Sequence, residues 1–175
     1  MKKCLGLLLV SVIVIGCAKA PANNTATTTN SSNADEPPSI NSVDVVKVQP
    51  QEATLAPGES GETLVLVQIT NGYHVNANPP SLPYLKPTEL ELKAAEGISV
   101  DSIIYPDPLV KNFSFSQTRL KVYEGATQLK VRLKADKKAT PGEHNLPAKL
   151  RVQACDDKVC YAPGALDLTV PVNIK

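Results

Sequence analysis

The chain has 175 residues, 42% of them hydrophobic, 4% aromatic and 20% charged, with 15 prolines and no tryptophan. This fits one ordinary globular domain with extra segments and excludes a large multidomain enzyme. With 18 basic against 17 acidic residues there is no net field to hold a phosphate backbone, so nucleic acid is excluded as a partner.

Lys2 and Lys3 precede an apolar run from Leu5 to Ile15, too short to span a bilayer as a stable helix and suited to the core of an export signal. The run ends in Val14-Ile15-Gly16-Cys17. This looks like a bacterial lipobox, which makes residues 1–16 a lipoprotein signal peptide and Cys17 the lipidated N-terminus of the mature chain. A cleaved signal that merely ends near a cysteine is the plainer alternative. Ala18 in the next position fits onward transfer to an outer membrane. Residues 17–42 are rich in Ala, Asn, Thr, Ser and Pro with little to bury, and read as a disordered tether. Loss of Lys2 and Lys3 leaves a mature charge of about −1.

From Val43 onward the pattern changes. Short apolar or alternating runs recur at 43–48, 62–69, 88–93, 98–104, 119–123, 128–133, 148–154 and 166–174. Ala56-Pro57-Gly58, Asn71-Gly72, Glu96-Gly97, Glu124-Gly125 and Pro141-Gly142 punctuate them as turns. Internal prolines at this density oppose long helices. The expected fold over 43–175 is therefore an all-β, immunoglobulin-like antiparallel sandwich of about eight strands. Asn71 to Tyr84, with His74, and Tyr105 to Ser116, with both phenylalanines Phe113 and Phe115, read as loops between strands. A lone histidine is usually a hydrogen-bonded surface or core residue, and loop aromatics usually pack on their own domain.

Cys4 leaves with the signal and Cys17 is acylated, so Cys155 and Cys160 are the thiols of the exported domain. In an oxidising compartment two cysteines this close are expected to be joined. The flanking runs are strand-like, and Asp156-Asp157-Lys158-Val159 would be a four-residue hairpin loop. The cysteines would then face each other with Cα atoms about 4.5–5.5 Å apart. As a staple, so small a ring contributes only about 2 kcal/mol. By spacing alone, staple and redox couple stand on equal terms. A zinc site lacks support, because His74 and His144 are distant and unpaired in spacing. Asp156 and Asp157 disfavour a neighbouring thiolate, Lys158 favours one, and no helix N-terminus is expected to help. An exchanging pair would depend on a partner for the activated thiol.

Several motifs occur together in order: Gly72-Tyr73-His74-Val75-Asn76, Tyr105-Pro106, Val122-Tyr123-Glu124-Gly125 and Gln153-Ala154-Cys155-Asp156-Asp157-Lys158-Val159-Cys160. Over roughly 43–175 the chain resembles the N-terminal periplasmic domains of the thiol:disulfide interchange protein DsbD family, also called disulfide bond corrector domains. The resemblance implies an immunoglobulin-like sandwich whose cysteine pair passes electrons from a thioredoxin-like domain or membrane thiol transporter to periplasmic disulfide-containing clients, with no cofactor and no metal. It makes Cys160 the cysteine that links to partners and Cys155 the one that resolves the link. It also implies a cap loop, here Tyr105 to Ser116 with Phe113 or Phe115 as cover, and a surround of His74, Asn76, Gln153 and Tyr161. The cysteine spacing is one residue shorter than in the best-known members, and Tyr161-Ala162-Pro163 replaces a proline pair. With no further apolar span or thioredoxin-like segment, the chain would borrow its electrons from other proteins. The expected location is the cell envelope, periplasm-facing and lipid-anchored. The competing reading is a noncatalytic envelope binding module with a structural disulfide.

Overall fold

Alternation of side chains decides how the strands face one another. The computed structural model describes residues 40–175, and the expected signal peptide, the expected lipidation site Cys17 and the expected tether up to residue 39 lie outside the described residues. In chain order the strands are β1 (Val46–Pro50), β2 (Ala53–Leu55), β3 (Ser60–Ile69), β4 (His74–Asn76), β5 (Glu89–Leu92), β6 (Ile98–Ile104), β7 (Leu109–Lys111), β8 (Leu120–Tyr123), β9 (Ala126–Ala135), β10 (Gly142–Val152), β11 (Ala154–Cys155) and β12 (Gly164–Ile174). No helix occurs among the described residues.

One sheet has the order β1-β3-β9-β6 and a second the order β2-β12-β10-β5. Along β3 and β9 every second side chain is buried, so Val65, Val67, Leu129, Val131 and Leu133 leave one face of the first sheet. Leu146, Leu150, Val170, Val172 and Ile174 leave the second, and all ten belong to one apolar core. Each such side chain contributes about 1.5–3 kcal/mol on burial. The chain changes sheets between β1, antiparallel to β3, and β2, parallel to β12. Pro147 and Pro171 each fall one residue outside the stretch paired with the shorter neighbours β5 and β2, where a missing donor costs least.

The sandwich is as the sequence predicts, but the described residues form twelve strands rather than about eight. All eight expected runs are strands. The additional ones, β2, β4, β7 and β11, have two or three residues each, too few to display a period. Two of them correct the reading of the proline-rich stretches as loops, since β4 lies in 71–84 and β7 in 105–116. With β8 and β11 they make a third small sheet, ordered β11-β4-β8-β7, at which the cysteines sit.

Ser42, placed by composition at the end of the tether, is fully buried: its hydroxyl accepts from Ala154 N–H (2.9 Å) and donates to the Ala162 carbonyl (2.5 Å). Val43 follows close against Gly164, where an added Cβ would stand 2.6 Å from Val43 Cγ1. The start of the domain is thus bonded to backbone on both sides of the cysteine pair.

Candidate functional site

Cys155 and Cys160 form a disulfide across an antiparallel pairing, their Cα atoms 3.9 Å apart. The bonds on either side, Tyr161 N–H to the Ala154 carbonyl (2.8 Å) and Asp156 N–H to the Val159 carbonyl (2.9 Å), make this a non-hydrogen-bonded pair, the position where facing side chains come closest. The hairpin is tighter than the expected four-residue loop. Asp156 and Val159 already pair, and the turn proper is Asp157-Lys158. Asp156 Oδ1 causes this by accepting the N–H groups of Lys158 (2.7 Å) and Val159 (2.8 Å), an Asx turn that closes the loop early.

Register then sorts the predicted surround onto two faces. Cys155 pairs with His74 and Ala154 with Val75, while Asn76 N–H donates to the Gln153 carbonyl (3.1 Å). Residues opposite each other share a face, so the sulfurs, His74, Asn76 and Gln153 lie on one side of the small sheet. Tyr161, expected beside the cysteines, is on the other side. Its ring is 6.1 Å from that of Tyr73, and its hydroxyl donates to Asp156 Oδ2 (2.7 Å).

That last bond has an electrostatic signature. The Tyr161 hydroxyl, followed by the Lys158 N–H, holds the Asp156 carboxyl below its usual value. The same bond pushes the Tyr161 phenol up to about 12. A raised phenol stabilises the fold fully below the ordinary value near 10, and that contribution is lost as pH rises through 12. In a titration followed at 295 nm, Tyr161 is expected to ionise last in the parent and near its ordinary value in Asp156→Asn. An unchanged curve in the variant would refute the assignment.

Gln153 ties three segments together. Its Oε1 accepts from Lys86 N–H (2.8 Å) and Asn76 Nδ2 (3.1 Å), and its Nε2 donates to the Tyr161 carbonyl (3.3 Å). Asn76 is fully buried and also donates to the Lys86 carbonyl (3.3 Å), so this pair is a framework holding the hairpin on β4. His74 is 3% exposed. Burial holds its imidazole below the ordinary value, partly offset by the Glu124 carboxylate, whose Oε1 is 3.9 Å from Nδ1.

The two phenylalanines separate clearly. Phe113 is buried, stacked on His74 with centroids 4.2 Å apart, and packs with Leu85, Leu120 and Val122 in an apolar cluster separate from the main core. Phe115 stacks on Phe113 at 5.4 Å and is 38% exposed. Ser114, between them, donates to the Asp157 carbonyl (2.7 Å) and so fastens this loop to the tip of the cysteine hairpin. Sequence reasoning missed Ser114, Ser42 and the neighbourhood of Lys111 and Glu124, because each acts across a long stretch of chain. Only Glu124 carried a signal, inside a motif already noted. Among the described residues no group of three or more His, Cys, Asp or Glu is placed to hold a metal, and His144 is occupied instead with the Thr140 carbonyl (2.8 Å).

The profile of the family described as thiol:disulfide interchange protein DsbD, N-terminal, matches residues 42–170. The chain belongs to this family. Among solved structures it is similar to the N-terminal periplasmic domain of ScsB from Proteus mirabilis, with 16% identity and a TM-score of 0.51 over 74% of this chain and 47% of that one. This chain therefore spans about half the length of that relative. It is also similar to the reduced DsbD N-terminal domain of Neisseria meningitidis, with 17% identity and a TM-score of 0.49, covering 81% of this chain and 93% of the other. A third match is the Neisseria meningitidis DsbD N-terminal domain in complex with the PilB N-terminal domain, with 16% identity, a TM-score of 0.46 and coverage of 78% and 88%. Comparison with curated protein sequences gives no match. Family membership and the all-strand sandwich agree, and the family is one of thiol-disulfide interchange.

Proposed function

We propose that this DsbD N-terminal family domain exchanges electrons in the bacterial envelope through Cys155–Cys160. The observation that carries the reading is that the hairpin has a set of hydrogen bonds of its own besides the disulfide. The Ala154–Tyr161 and Asp156–Val159 backbone bonds, the Ser42 hydroxyl and the Gln153 amide all pin it independently. The bond closes a ring that adds only about 2 kcal/mol. It also lies outside the main apolar core, so it can open without disturbing the two large sheets.

The pair is asymmetric: Cys155 is fully buried and Cys160 is partly exposed. Cys160 is accordingly the sulfur that partners reach. A donor thiolate attacks Cys160 Sγ, the Cys155 sulfur leaves and takes up a proton, and a mixed disulfide forms. The donor's second thiolate then attacks its own linked sulfur, releasing Cys160 as thiolate and leaving the donor oxidised. In the second half, Cys160 attacks a client disulfide, and Cys155 loses its proton and attacks Cys160 Sγ. The client leaves as a dithiol and the domain is oxidised again, two electrons having passed.

The donor is a thioredoxin-like domain or membrane thiol transporter, and the clients are oxidised envelope proteins. Cys17 anchors the chain by lipid on the periplasmic side of a membrane, with residues 18–41 as the tether. The cysteine pair requires no metal or cofactor. The test is the reduction potential of Cys155–Cys160, by equilibration in redox buffers, alkylation and mass spectrometry. A value between about −180 and −280 mV is expected, whereas one well below about −300 mV would make the bond a structural staple.

A further inference from the structure

The antiparallel register between β4 and β8 continues one residue past the strand ends. Val75 faces Tyr123 and Asn76 faces Val122, so His74 stands opposite Glu124, as the 3.9 Å separation of Nδ1 and Oε1 also requires. Together with the pairings Cys160–Cys155 and Cys155–His74, this makes one continuous cross-strand row: Cys160, Cys155, His74, Glu124. Cross-strand neighbours on one face stand with Cβ atoms about 4.5–5.5 Å apart. The row leads from the disulfide to solvent. Its outer end lies in a cleft of about 480 Å³ lined by His74, Lys111, Glu124 and Asp157, where the Glu124 side chain is 27% exposed.

Within this row the imidazole has an unmet hydrogen-bonding position. His74 is buried, its ring is fixed against Phe113, and its Nε2 has no hydrogen-bond partner. A buried ring nitrogen with no partner costs stability, so packing alone does not account for it. We propose that His74, with the Glu124 carboxylate beside its Nδ1, is the proton acceptor and donor for Cys155. This deepens the exchange reading and rests on it. When Cys155 resolves a mixed disulfide, its thiol proton passes to His74 Nε2 as the sulfur attacks Cys160 Sγ and the partner sulfur departs with the bonding pair. When a donor opens the disulfide, a proton taken up from solvent at the cleft passes through His74 to the departing Cys155 sulfur. Glu124 faces the positive charge that His74 bears in between, which is the orienting role of the third group in nucleophile–base arrangements.

The groups around the ring suit this cycle. Glu124 follows β8, Asp156 and Asp157 come from the hairpin, and all three favour the charged imidazole. Lys111, on β7, opposes it and is itself paired with Glu124. Desolvation outweighs them, so the resting ring is neutral and free to accept a proton at pH 7. Cys160 lies one strand further from His74 and gains no such help, so when the dithiol is oxidised only the second chemical step depends on the row.

Reaction with 5,5′-dithiobis(2-nitrobenzoate) separates the steps. In the purified protein, free thiols are alkylated while the disulfide is intact, and the disulfide is then reduced. The first thionitrobenzoate reports attack by Cys160 and the second reports attack by Cys155. His74→Phe, which preserves an aromatic ring on Phe113, is expected to slow the second release about 100-fold at pH 7 and leave the first unchanged. The deficit should shrink as pH rises, because a growing share of the thiol then ionises without help from the imidazole. Glu124→Gln, at a partly exposed position, is expected to slow the second release less, and to add nothing to His74→Phe. A second release at parental speed in His74→Phe, equal slowing of both releases, or a deficit independent of pH would overturn the proposal. A parent that never gives the second release would overturn the exchange reading itself.

Discussion

Cys155→Ser is expected to accumulate a covalent complex with a disulfide-bearing partner, and Cys160→Ser to form none. The effect is all-or-none because the two sulfurs differ in access: Cys160 is partly exposed at the hairpin, whereas Cys155 is fully buried between Cys160 and His74. With Cys155 replaced, Cys160 still attacks, and no second thiol can expel the partner. With Cys160 replaced, the remaining thiol is out of a partner's reach. Mixing each reduced variant with an oxidised client and separating the products under non-reducing conditions reads this directly. Accumulation in both variants or in neither would contradict these roles.

The second large effect concerns Phe113. Its ring is buried among Leu85, Leu120 and Val122 and stacked on His74, so Phe113→Ala removes both a packed side chain and the support of the imidazole. Truncating a buried Phe costs about 3–5 kcal/mol, and the low end is expected here because the cluster is a small satellite that can partly collapse. Urea unfolding measures that loss. Phe115→Ala, at a position already 38% exposed, should cost much less. The loop carrying both is fastened to the hairpin through Ser114, so its loosening in Phe113→Ala should quicken reduction of the disulfide by a small thiol. An unchanged rate would mean that the loop packs beside the disulfide without shielding it.

The long strands, the sandwich and the pairing of Cys155 with Cys160 were legible in the sequence. A period of two over ten residues, as in β9, states which face is buried, and two cysteines at short range have few alternative partners. The family was legible too, because several motifs stood in order along the chain. Four short strands were not, since two or three residues show no period. Yet β4 and β11 are the strands that carry His74 and Cys155.

What only the tertiary structure decided is which residues share the sulfurs' face. Tyr161 follows Cys160 directly and is turned away from the sulfurs by the alternation of the strand. Glu124 is more than thirty residues from either cysteine and stands two strands from Cys155 in the same row. Ser42 at the start of the domain and Ser114 near its middle reach the hairpin through their hydroxyls. Local pattern is set by each strand's own residues. The row Cys160, Cys155, His74, Glu124 is set by register among four segments, and register depends on contacts that no single segment contains.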